Sequence, residues 1–278
     1  MPTEQSRPQL VHTDLVRMML LARALERRAQ RAHLGPRSRP GPTRGRGSEA
    51  FAVGAASALG EDDRLFASDR YLAAHLARGL PPEDYLVRCL GGTSARATDA
   101  IGFASPGAEL VDLAAGAALA LQLRDSDGVA MALVPADAYR GGRCDQAIHT
   151  ATSRRLPLVI VIEGPVDPPP GADARVVQAQ EVEVVASAVR GAVREVRGGE
   201  APAVVICDDR PPADDAFSDP DEPRDPIKRE LRRMACNVAT RELIGPLRSD
   251  VRVRVRAAER RARLTRSGFR HRPAGAAA

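Results

Sequence analysis

The chain has 278 residues, 44% of them hydrophobic, which excludes a wholly disordered protein and allows one large domain or two small ones. Aromatic residues make up 3% and Trp is missing, so a core has to be built from Ala, Val and Leu. The net charge is +5 with Lys228 as the only lysine; a basic set made almost purely of arginine reads as composition bias, and nucleic acid is an unexpected partner without clustering of that charge.

Residues 1–12 are polar, contain Pro2 and Pro8 and lack a secretory apolar run, so they read as a flexible N-terminus. Asp14 suits the N-cap of a helix over 15–33, in which Val16, Met19, Leu20 and Leu21 share one side. Arg17 and Arg23 interrupt its apolar stretch, which is too short and too charged to span a bilayer. Residues 34–47 are dense in Gly, Pro and Arg and predict a loop. A small-residue helix over 49–59, a short strand at Leu65-Phe66-Ala67, and two helices, the second opened by Pro81 and Pro82, come next. An Ala-rich helix spans 109–124 with Gly116 at its middle.

Residues 129–134 and 158–162 are apolar runs bounded by turn residues, the pattern of buried parallel strands, and a helix over 145–154 separates them. Loop 164–174, rich in proline, leads to a helix with Val182, Val185, Ala186, Val189 and Val193 on one face, and then to a strand over 203–207. Strand and helix alternate, which predicts an α/β domain over 13–247 with a mainly parallel sheet between helices. The acidic loop 208–225 leads to a helix starting at Asp225-Pro226. Residues 248–278 read as an arginine-rich C-terminal segment, either a solvated helix or an edge strand over 251–266, with a frayed tail from Gly268.

Six segments in one order resemble the alpha subunit of thiamine-diphosphate-dependent 2-oxo acid dehydrogenases. They are Met18-Met19-Leu20-Leu21-Ala22-Arg23-Ala24-Leu25-Glu26, Gly47-Ser48-Glu49-Ala50, residues 63–79 ending in His75-Leu76-Ala77-Arg78-Gly79, the helix around Gly116, Leu156-Pro157-Leu158-Val159, and Asp225-Pro226-Ile227. The resemblance implies the three-layer thiamine-diphosphate-binding fold. It also implies a beta subunit or a second copy as partner, and oxidative decarboxylation of a 2-oxo acid with acyl transfer to lipoamide. The chain is shorter than the family around 164–174.

In the family, thiamine diphosphate is held through Mg²⁺ by a Gly-Asp-Gly turn and a later Asn, because a hard cation needs oxygen ligands. On the matching positions this chain carries Pro135-Ala136-Asp137 and Glu163-Gly164-Pro165-Val166. The family's Tyr-Arg-x-His-x-His run reads Asp69-Arg70-Tyr71-Leu72-Ala73-Ala74 here, and only Arg70 is kept. The glycine-rich Gly-Gly-Ser-Met-His segment reads Arg96-Ala97-Thr98-Asp99-Ala100, and a later His-bearing loop reads Pro212-Ala213-Asp214-Asp215-Ala216. Arg70 and Asp137 therefore stand as vestigial cofactor-binding positions, although Asp137, shifted by one residue, reads more readily as a solvated loop aspartate. Glu163 could substitute for the missing ligand, and no catalytic or metal-binding residue is assigned. The cofactor and its Mg²⁺ are expected to be lost or weakly held, leaving a catalytically impaired structural or regulatory subunit.

Three other features carry less. His75 is offset by one residue from the family's histidine and suits a local hydrogen bond. Cys144 with His149 lacks an orienting third group for nucleophilic catalysis. The arginines at 252, 254, 256, 260, 261, 263 and 266 suit either a solvated helix or a patch for an acidic partner or nucleic acid. Four separated cysteines, Cys89, Cys144, Cys207 and Cys236, fit a reducing cytoplasm.

Overall fold

Six strands run parallel in one sheet: β1 (Arg64–Phe66), β2 (Ala100–Ile101), β3 (Ala130–Pro135), β4 (Leu158–Glu163), β5 (Ala174–Gln178) and β6 (Ala203–Asp208). Their spatial order is β2-β1-β3-β4-β6-β5. The structure, a computed structural model, describes residues 6–32, 45–89, 100–101, 109–140, 144–169, 174–178, 181–200, 202–208 and 225–270. In chain order its helices are α1 (Ser6–Ala32), α2 (Glu49–Ala56), α3 (Leu72–Ala77), α4 (Pro82–Cys89), α5 (Glu109–Leu123), α6 (Ala136–Tyr139), α7 (Asp145–Arg154), α8 (Val182–Arg197), α9 (Pro226–Cys236), α10 (Val238–Arg241) and α11 (Ile244–Arg270).

Side chains alternate across a strand, so odd and even positions part to opposite faces. Met131, Leu133, Val159, Val161 and Val205 pack into one core with α1, α2, α3, α4 and α8. Ala132, Val134, Ile160, Ile162 and Ile206 pack into the other with α5 and α7. The result is an α/β arrangement of helix, sheet and helix layers. Right-handed crossovers explain which helix lies where. The steps from β2 to β3 and from β3 to β4 run in one direction and carry α5 and α7. The steps from β1 to β2 and from β5 to β6 run in the other and carry α3, α4 and α8.

A core with few aromatic rings packs by close approach instead. All eight residues of α2 are buried. A Cβ on Gly54 would sit 2.8 Å from the carbonyl oxygen of Val182 and 2.9 Å from the Val185 Cβ, so only glycine lets α2 meet α8. The predicted stripe Val182, Val185, Ala186, Val189 and Val193 is the buried face of α8. Asp63, fully buried before β1, accepts the Val129 N–H at 2.8 Å, and its two carboxylate oxygens accept from the Arg197 Nη2 at 2.8 and 2.9 Å.

The structure corrects several sequence expectations. Helix α1 starts at Ser6 rather than near 15, so the described part of the expected N-terminal loop is helical and Asp14 lies inside the helix beside Arg17. Pro8 is tolerated because first-turn N–H groups have no helical acceptor to lose. The boundary at 247/248 falls within α11, whose Leu247, Val251, Ala258 and Ala262 are buried, so the arginine-rich segment is a helix built into the domain. Gly268 to Arg270 belong to that helix rather than to a tail. β2 and β5 had no expected counterpart, because two residues and five residues with an exposed Val176 carry too little apolar signal. The predicted loop over 34–44, the segment 96–99 and the acidic loop over 209–224 lie outside the described residues.

Candidate functional site

Strand order reverses direction between β1 and β3, and in open parallel sheets the crevice beyond the carboxyl ends at such a point is where ligands bind. Three segments meet there: a 3-10 turn Asp69–Tyr71 after β1, helix α6 after β3, and Gly164 after β4. Tyr71 Oη donates to Glu163 Oε2 at 3.0 Å, and Arg70 Nη2 lies 3.2 Å from the same oxygen. Both groups reach over the end of β3, which separates β1 from β4. They can do so because Pro135 and Ala136 end that strand with little bulk. Gly164 turns with φ of +104°, and a Cβ on it would lie 3.1 Å from the Ala136 Cβ. Tyr71 is fully buried, its ring 5.2 Å from that of Phe51. Burial, reinforced by the Glu163 carboxylate, pushes the phenol well up, so it stays a neutral donor.

The structure thus brings Arg70 and Glu163 together and leaves Asp137 apart. Asp137 is exposed at the start of α6, and its Oδ1 accepts the N–H of Ala138 at 3.0 Å. A cation bridging a diphosphate needs several convergent oxygens. Ala136 and Gly164 supply none from their side chains, and Glu163 is already engaged by a phenol and a guanidinium. Among the described residues no group of three or more His, Cys, Asp or Glu side chains is placed to hold a metal ion. The described residues at this edge do not fit a magnesium–diphosphate cradle.

The remaining candidates resolve simply. His75 is fully buried on α3, and its Nε2 lies 2.9 Å from the Ala67 carbonyl and 3.2 Å from that of Ser68, so this nitrogen carries the proton and donates. Burial lowers its pKa to about 4, which keeps the ring neutral. Cys144 is buried and its thiol is pushed up to about 11 by that burial, while His149 is exposed on α7. A protonated, enclosed thiol and a solvated imidazole do not make a nucleophile pair. All four cysteines are free thiols.

A second cluster, unforeseen from the sequence, lies among α1, α2 and α9. The Arg23 Nε donates to Glu49 Oε1 at 2.7 Å and its Nη1 to Asp225 Oδ1 at 2.6 Å. Glu49 Oε2 accepts the Gly47 N–H at 2.8 Å, and Asp225 caps α9 through the N–H groups of Ile227 and Lys228. Glu26, one turn on, accepts the Gly45 N–H at 3.2 Å; burial first and the Glu49 charge second raise its carboxyl to about 7. The signal was present in part: Arg23 interrupts an apolar helix, and Asp-Pro is a helix-start pair. Their pairing was not readable.

No protein-family model and no curated protein matches the chain. Among the described residues no helix is long and apolar enough to cross a membrane.

Proposed function

We propose that this chain is an alpha-like subunit of a thiamine-diphosphate-dependent 2-oxo acid dehydrogenase, and that it works as a structural or regulatory member rather than as the holder of the cofactor. One observation supports the reading: Glu163 joins Arg70 and Tyr71 among positions that the resemblance matches to the family's Mg²⁺ and diphosphate ligands, while Ala136 and Gly164 bring no side-chain oxygen there. Support for the scaffold comes from Arg23, Glu49 and Asp225, which stand in three of the six segments that carry the resemblance and converge on one buried cluster. Its partner is a beta-type subunit or a second copy, and its free thiols suit the reducing cytoplasm. If the cofactor were held after all, the reaction would be decarboxylation of a 2-oxo acid with acyl transfer to lipoamide.

Calorimetric titration of the purified chain with thiamine diphosphate and Mg²⁺, alone and with a beta-type subunit, tests the reading. Silence in both titrations together with co-purification of the beta-type subunit is expected. Saturable binding of the cofactor overturns the loss of the site, and failure to associate with any beta-type subunit overturns the alpha-like role.

A further inference from the structure

The arginines of α11 divide into two sets by their surroundings. Leu247, Val251, Ala258 and Ala262 are buried, and this packing fixes which side of the helix faces outward. Asp250 and Glu259 are the two acids of the helix. Asp250 pairs with Arg254 at 2.9 Å and Arg17 at 3.5 Å, and Glu259 with Arg263 at 2.6 Å and with Arg28 of α1. Arg261 finds Glu83 at 3.1 Å.

Arg248, Arg252, Arg256 and Arg260 form the other set. They recur at every fourth residue, all four are exposed, and none has a carboxylate partner among the described residues. With a rise of about 1.5 Å per residue, successive guanidinium stems stand about 6 Å apart along a row of about 18 Å. Like charges at this spacing oppose one another and weaken a helix. Both nearby acids are already engaged from α1 and from the other arginines. Among the described residues the helix therefore presents a cationic ridge without a carboxylate partner, held outward by its buried side. Arginines without a carboxylate partner also stand elsewhere, at Arg124, Arg154, Arg190 and Arg194, but among the described residues of α11 they follow one another at every fourth position along a ridge that winds about 120° around the helix.

We propose that the row Arg248-Arg252-Arg256-Arg260 is a docking surface for the phosphate backbone of duplex DNA. This inference is independent of the reading of the carboxyl edge. Guanidinium groups match phosphate oxygens in a fork geometry. A duplex carries one charge per roughly 1.7 Å of axis, so a stiff row finds phosphates in any register. An acidic polypeptide would have to repeat carboxylates at the same spacing as the row. The described side chains of α11 include no aromatic ring on which unpaired bases could stack, which disfavours single strands. The expected recognition is of backbone charge, without base sequence.

The test is fluorescence anisotropy with the full chain and a labelled 20-base-pair DNA duplex of mixed sequence, titrated between about 50 and 150 mM salt. Four phosphate contacts predict a slope of log K against log salt near about −3.6, hence binding about 50-fold tighter at the lower salt. Arg248→Ala, Arg252→Ala, Arg256→Ala and Arg260→Ala combined should abolish binding with far-ultraviolet circular dichroism unchanged. A control removing the same charge elsewhere, from the exposed Arg124, Arg154, Arg190 and Arg194, should retain it. Equal loss in the control, retained binding in the row variant, no binding by the parent chain, or a preference for a polyglutamate peptide or a single strand each overturn the proposal.

Discussion

Arg23 with Glu49 and Asp225, and Arg70 with Glu163 and Tyr71, are two clusters of similar chemistry in one domain, and they differ in what surrounds them. The first is enclosed: the side chains of Arg23 and Glu49 are 8% and 2% exposed. It ties the starts of α2 and α9 to the middle of α1. The second opens to solvent through Arg70, whose side chain is 37% exposed, and it ties the ends of β1 and β4 across β3. An ion in water is easily replaced, whereas an ion inside a core is costly to leave alone. The enclosed cluster can therefore keep its residues for the sake of the fold, while the open edge is freer to change.

The sharpest way to break this comparison is Arg23→Met. The enclosed Glu49 would lose its cation and Asp225 its nearer one, Arg46 standing 3.9 Å from Asp225, and urea unfolding at pH 7 should show a loss of about 3–5 kcal/mol. A loss within about 0.5 kcal/mol would mean that the enclosed cluster is no more important than surface charge.

Glu26 sharpens the same contrast through pH. Its carboxyl lies near 7 in the folded chain against an ordinary 4.5, so the native state holds this proton longer than the unfolded chain does. Stability from this group is therefore full below about 4.5 and is lost as pH rises through about 7. Glu26→Gln should remove that slope and stabilise the protein at pH 8 by about 1–3 kcal/mol. Parallel pH–stability curves for parent and variant would remove Glu26 from the account.

The smallest effect is expected at the edge. Glu163→Ala leaves the buried Tyr71 phenol without this acceptor and frees a partly solvated Arg70, for a cost of about 1–2 kcal/mol by the same unfolding measurement. A cost matching that of Arg23→Met would show the edge to be as essential to the fold as the enclosed cluster.

Much of the architecture was legible because it is periodic and local. The apolar runs of β3, β4 and β6 and the valine stripe of α8 lie where periodicity places them. So does the absence of side-chain oxygens at Ala136 and Gly164, since a missing group needs no partner to be noticed. The start of α1 was misread because Pro8 and Asp14, read as signs of a loop and a cap, are tolerated inside the first turns of a long helix. β2 and β5 escaped because short segments lack a period to count. Tyr71 was passed over as the neighbour of Arg70, although its ring is enclosed and its hydroxyl is the donor that fixes Glu163.

The sequence by itself determined which residues can form strands and helices, and that Ala136 and Gly164 carry no side-chain oxygen, since both are properties of short stretches. Only the tertiary structure decided which charges meet: Arg23 finds Asp225 across 202 positions, Tyr71 finds Glu163 across 92, and four arginines of α11 find no carboxylate among the described residues. Such meetings depend on strand order and on which face of a helix is buried, and a guanidinium or carboxylate carries no local mark of the partner that the fold will bring to it.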